Sequence, residues 1–60
     1  MTVRYAAVVD CRQRSWEYTF WLYTTIQEFD THVEALSAAW DTCLASPRDT
    51  RRPRVEERMR

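Results

Sequence analysis

The sequence predicts a small α+β fold: a two-stranded antiparallel hairpin packed on one amphipathic helix, followed by a flexible tail. Three observations predict it. Apolar and polar residues alternate over 3–10 and again over 16–23. From Ile26 to Leu44 apolar residues recur at steps of three and four instead. After Pro47 the chain turns polar and rich in arginine. A change of period from two to about 3.6 marks a passage from strand to helix.

The first strand is expected over 3–10, with Val3, Tyr5, Ala7 and Val9 on one face and Arg4, Ala6, Val8 and Asp10 on the other. The polar run CRQRS, residues 11–15, reads as the hairpin connection. The second strand is expected over 16–23, where five of eight side chains are aromatic. Trp16, Tyr18, Phe20 and Leu22 extend the first face; Glu17, Thr19, Trp21 and Tyr23 extend the second.

The helix is expected over 26–45. Thr25 with Glu28 matches a capping box. Ile26, Phe29, Val33, Leu36, Trp40, Cys43 and Leu44 fall in an arc about 100° wide. Ser46-Pro47 ends it, because the residue before proline is pushed out of the helical region. A second parse starts the helix at Asp30-Thr31 with Glu34 and runs the strand to Phe29. The longer helix is preferred, because the stripe is in phase from Ile26 and a strand to Phe29 would overrun its eight-residue partner. Residues 1–46 are then one domain, and 47–60 a disordered basic tail. Within that tail PRVEERMR has the pattern of a short helix formed on a partner, with Pro53 in its first turn.

Composition narrows the function classes. A chain of 60 residues buries only about 60% of the surface it exposes unfolded, so a staple is expected. Two cysteines and one histidine do not complete a structural zinc site without carboxylates, so no metal and no cofactor are expected. A partner or a second copy is the expected staple. The absence of glycine excludes phosphate-cradling loops and dinucleotide fingerprints. No run approaches the length of a membrane span, and the N-terminus lacks a secretory pattern, so the expected location is cytoplasmic, with Cys11 and Cys43 reduced. His32 lies at the margin of the helix stripe, with no nucleophile or orienting carboxylate in reach, and an enzyme is not expected.

Three clusters are candidates for binding. Asp30, Glu34 and Asp41 fall within about 40° of one another on a helix, with no arginine between Ser15 and Pro47. They form a candidate acidic ridge for a basic partner. Val8, Trp21 and Tyr23, with Ala6, make an aromatic patch on the outer face of the sheet, a candidate for protein contact or self-association. Arg48, Arg51, Arg52 and Arg54 of the tail are candidate nucleic-acid contacts. Arg4, Arg12 and Arg14 against six carboxylates give residues 1–45 a charge of −3; six arginines against Asp49, Glu56 and Glu57 give residues 46–60 +3.

The expectation is a small non-enzymatic interaction module, an inhibitor or adaptor that docks on a larger, nucleic-acid-handling complex. Its acidic helix face and aromatic sheet face would make the contact. Short, catalytically empty chains of this type are made by phages and mobile elements, anti-CRISPR proteins included; the analogy is one of type. The alternative is a nucleic-acid-binding accessory protein that uses the arginine-rich tail.

Overall fold

The computed structural model describes residues 2–59; Met1 and Arg60, the outer ends of the expected domain and tail, lie outside the described residues. The fold is α+β. Strands β1 (Val3–Arg14) and β2 (Thr19–Phe29) form a hairpin, helix α1 (His32–Ala45) packs on it, and β3 (Thr50–Met59) completes the sheet. The three strands are antiparallel in the order β2-β1-β3.

The third strand is the main correction. The segment expected as a disordered tail is ten residues of paired strand along the far edge of β1. Its charge argues against burial on both faces, and it is not buried on both. Val55 packs against the core on the helix side, while Arg54, Glu56 and Arg58 stand on the other. Alternation with one apolar residue at the seam suffices for an edge strand on a two-layer fold.

Both strands of the hairpin are longer than expected. The polar run at 11–14 continues β1, because Cys11 packs against the core while Arg12 and Arg14 lie on the open face. The turn is Ser15-Trp16-Glu17-Tyr18. The Ser15 hydroxyl accepts the N–H groups of Glu17 (3.3 Å) and Tyr18 (3.1 Å), and the Ser15 N–H donates to the Tyr18 carbonyl at 2.9 Å. Serine thus does the work for which hairpins often recruit glycine.

A longer β1 also supplies partners for a longer β2, with Tyr5 opposite Phe29. The helix therefore starts at His32 and not at Ile26. Thr31 is its N-cap, its hydroxyl accepting the Glu34 N–H at 3.3 Å. Ser46 closes the helix, its N–H donating to the Thr42 carbonyl at 3.1 Å. Buried Thr50 then donates its hydroxyl to the Ser46 carbonyl at 2.8 Å, tying the start of β3 to the end of α1.

Two bulges bend the sheet. Ile26 is the extra residue of β2 between the pairs Ala7–Gln27 and Val8–Thr25. Arg52-Pro53 opposes Val9 alone on β1. Proline costs no ladder bond at a bulge. Arg52 takes φ 58°, the left-handed region that a glycine would normally fill.

The core is narrow and built from small residues. Ala7 and Val9 of β1 meet Ala35 and Ala39 of α1, flanked by Tyr5, Cys11, Phe29, Ala38, Cys43 and Val55. Val8 and Val9 are the largest fully buried side chains among the described residues. The hairpin presents the expected face to the helix, but the helix turns an alanine stripe towards it. Of the expected stripe, Cys43 does pack on the core and Leu36 is half-buried, but Val33 (75% exposed), Trp40 (51%) and Leu44 (72%) face away from the sheet, and Ile26 and Phe29 belong to β2. The molecule is a slab of 44 × 22 × 12 Å with a radius of gyration of 12.6 Å. A compact chain of this length has about 10 Å, so the low thickness follows from the thin core.

Two stability predictions follow from this packing. Removing residues 47–60 strips one partner strand from β1 and the Thr50 hydroxyl bond from the end of α1, so the truncated chain should lose its cooperative thermal transition by circular dichroism; an unchanged midpoint would mean β3 adds nothing. Ala39→Leu should overpack the seam and cost about 1–3 kcal/mol, a fall of about 5–20 °C at this size, in the same measurement.

Candidate functional sites

The open face of the sheet carries Arg4, Ala6, Val8, Asp10, Arg12 and Arg14 of β1, with Trp21, Tyr23 and Thr25 of β2 alongside. Arg4, Ala6, Val8, Asp10, Trp21 and Tyr23 are the residues expected there; Arg12, Arg14 and Thr25 join them because both strands are longer, Glu17 lies in the turn instead, and β3 brings its own arginines onto the face. The Arg51 guanidinium lies 3.9 Å from the centre of the Trp21 ring, and that of Arg54 lies 5.5 Å from the Tyr23 ring. Both are cation–π contacts, which arginine makes well because its planar group stacks on an aromatic face. The Tyr23 hydroxyl donates to Glu56 and accepts from Arg58, which also reaches Thr25 Oγ1 at 3.2 Å.

Beneath this layer lies Asp10, 8% exposed. Arg54 bonds it at 3.1 Å and Arg52 reaches it at 3.8 Å. The left-handed Arg52 and the bulge it belongs to place two cations near one nearly buried carboxylate. A buried carboxylate is costly unless it is paired in this way. Arg4, Arg12, Arg54 and Arg58 each keep only about a third of their side chain exposed. Their stems therefore lie along the sheet while the charged heads reach out. This is how Ala6 and Val8 are fully buried with no second layer above them.

The sequence-derived sites fare differently. Val8 is buried and serves packing, so it is not a contact surface. Trp21 is half-buried under Arg51, and Tyr23 is 46% exposed. Arg51, Arg52 and Arg54 turn onto their own sheet, while Arg48 stays exposed in the turn before β3. Asp30 precedes the helix and pairs with Arg4, a partner that linear spacing did not reveal. Glu34 and Asp41 do share a helix face, about 20° apart, and both are exposed with no ion pair among the described residues.

Beside those two carboxylates, on the same outward side of α1, stand Val33, Trp40 and Leu44. Counting 100° per residue from the Ala35–Ala39 seam places Trp40, Val33 and Leu44 about 120–160° round the helix, with Glu34 and Asp41 just beyond Ser37. The outward surface is thus half apolar and half acidic. Its apolar half holds three members of the stripe expected to pack on the sheet. His32 is exposed at the helix start and meets Tyr5 edge to face at 5.9 Å between ring centres. Cys11 and Cys43 are free and half-buried against the core. No cluster of metal-ligating side chains and no pocket occurs among the described residues, and no helix among them is long and apolar enough to cross a membrane.

Glu56 carries a shifted pKa. The Tyr23 hydroxyl bond holds its carboxyl below the usual glutamate range, aided by the bond and charge of Arg58, against a smaller opposing effect of desolvation. A depressed folded-state pKa stabilises the fold above the ordinary glutamate value, and that contribution is lost as pH falls through the folded value. Glu56→Gln should therefore lower the thermal midpoint slightly at neutral pH and flatten its decline in acid. Parallel acid limbs for variant and parent would show that this contact adds nothing. Comparison with protein-family models, with curated proteins and with solved structures finds no match for this chain.

Proposed function

We propose that this chain is a small non-enzymatic protein-interaction module, an inhibitor or adaptor that docks on a larger complex through the outward side of α1. The observation that carries this reading is the exposure of Val33, Trp40 and Leu44 beside Glu34 and Asp41, which make no ion pair among the described residues. A helix that seats alanines on its own sheet and turns tryptophan, leucine and valine to solvent has its larger apolar side unused. Tryptophan at the centre of such a patch is the residue type that most often anchors an interface. The two carboxylates beside it suit a partner with lysine or arginine around an apolar groove, and they speed encounter with it. Such basic surfaces are common on proteins that handle nucleic acid, the class of target expected from the sequence.

A second reading keeps nucleic acid as the direct ligand. It is supported by Arg14 and Arg48, which make no ion pair among the described residues, and by Arg51, whose charge is stacked on Trp21 but not neutralised. Against it, Arg4, Arg12, Arg52, Arg54 and Arg58 already have carboxylate partners. Each would have to give one up before it could release counterions from a phosphate backbone.

The two readings separate in one experiment. The tagged chain is used to recover partners from lysate with and without nuclease, beside the double variant Trp40→Ser/Leu44→Ser. Docking through α1 predicts a protein partner that survives nuclease and is lost with the variant. Glu34→Gln/Asp41→Asn should keep that partner, with slower association and weaker salt dependence. A partner lost to nuclease and retained by the variant would overturn the docking reading in favour of the arginine face.

A further inference from the structure

The two edges of the sheet differ in a way that points to a second copy of this chain. The β3 edge is guarded. It carries Arg51, Arg52, Arg54 and Arg58, a proline and a bulge with one residue at positive φ. Charge, proline and bulges are the devices by which edge strands avoid pairing with other chains. The β2 edge has almost none of them. From Thr19 to Gln27 it holds no charged residue and no proline, and its one bulge lies towards the C-terminal end, at Ile26.

The same strand is unfinished on its surfaces. The helix lies mainly over β1 and β3. On the helix side of β2, Phe20 is left 38% exposed and Leu22 50%, and on the open side Tyr23 is 46% exposed. The free backbone groups can be assigned. Ser15 donates to the Tyr18 carbonyl, so by antiparallel alternation the bonded β1–β2 pairs are Gln13–Phe20, Cys11–Leu22 and Val9–Thr24. Trp21 and Tyr23 then point their N–H and C=O groups away from β1, into solvent.

We infer that the chain forms a two-fold dimer by antiparallel pairing of β2 with β2 of a second copy, giving a continuous six-stranded sheet. The two-fold axis passes at Leu22. Trp21 then exchanges backbone bonds with Tyr23 of the second copy, and Tyr23 with its Trp21. Leu22 meets Leu22 on the helix side as a close, non-bonded pair. An uncharged strand meets its own copy without repulsion, whereas β3 paired with β3 would set arginine against arginine. A second copy also satisfies the need for a staple in a chain this short. This surface is separate from the outward side of α1, so a dimer leaves the proposed docking surface open.

Sedimentation of the wild-type chain at micromolar concentration tests the inference with no other partner present. The expected mass is twice the 7.3 kDa of the single chain. Leu22→Lys should return it to the single-chain mass with the circular dichroism spectrum kept, and Met59→Lys, on the guarded edge, should leave the dimer intact. A wild-type monomer would overturn the inference. So would a dimer that survives Leu22→Lys and dissolves with Trp40→Ser, which would place the contact on α1. Should Leu22→Lys fail to fold, Leu22→Cys decides. It is made with Cys11→Ser, since Cys11 is the neighbour of Leu22 on β1 and would compete for the new thiol. Non-bonded antiparallel pairs have Cα atoms about 4.5 Å apart, within disulfide reach, so mild oxidation should yield a covalent dimer. A chain that stays monomeric on a non-reducing gel would reject this register.

Discussion

The close contact of two small-residue surfaces governs this fold. Ala35 and Ala39 sit on Ala7 and Val9, and nothing larger than valine is fully enclosed among the described residues. Such a seam brings helix and sheet near one another and leaves little volume between them. Bulky side chains must then leave the interface or pack at its margins. Tyr5, Phe29 and Val55 take the margins; Val33, Trp40 and Leu44 take the outside. The thin core cannot hold a two-stranded sheet alone, since a hairpin is marginal in water without further strands or good packing. The third strand is therefore part of the domain, and Thr50 ties it to the helix end at the point where the chain leaves α1.

Much of this architecture was legible from residue pattern, and the losses have physical causes. Alternation sorted β1 and β2 onto the correct faces, because a strand that lies on one core must repeat every two residues. The helix end at Ser46-Pro47 was legible because proline acts locally. The start was not. Both Thr25 and Thr31 begin a capping box, and the choice depends on how far β1 extends, which is a tertiary fact. The apolar stripe of α1 was real, but periodicity reports that a face is apolar and not what it meets. Alanines at 35, 38 and 39 were the missed signal for the buried side. The strand β3 was hidden by its charge. Its arginines are tolerated because they serve as cover for the sheet, a role that composition alone does not separate from disorder.

That cover explains an otherwise odd composition. The chain has nine cationic side chains, all arginine, and no glycine. On the open face a cation must stack on Trp21, pair with Asp10, or bridge Glu56 and Tyr23 while its stem shields Ala6 and Val8. Lysine, a compact point charge on a flexible stem, lacks the planar group that lies flat on an aromatic ring. The left-handed Arg52 costs backbone energy that a glycine would spare, but a glycine would bring no charge to Asp10.

The division of labour between the two surfaces follows from this. Charges on the open face are largely spent within the molecule, so a polyanion arriving there must compete with carboxylates already in place. Glu34 and Asp41 make no ion pair among the described residues, and the apolar side chains beside them contribute little to the core. Free energy of association comes from groups that change partners least and lose most water. By that criterion the outward side of α1 and the bare edge of β2 have more to gain from a partner than the aromatic face that first draws notice in the sequence. Trp21 and Tyr23 are prominent as residues, but β3 has already covered much of what they offer.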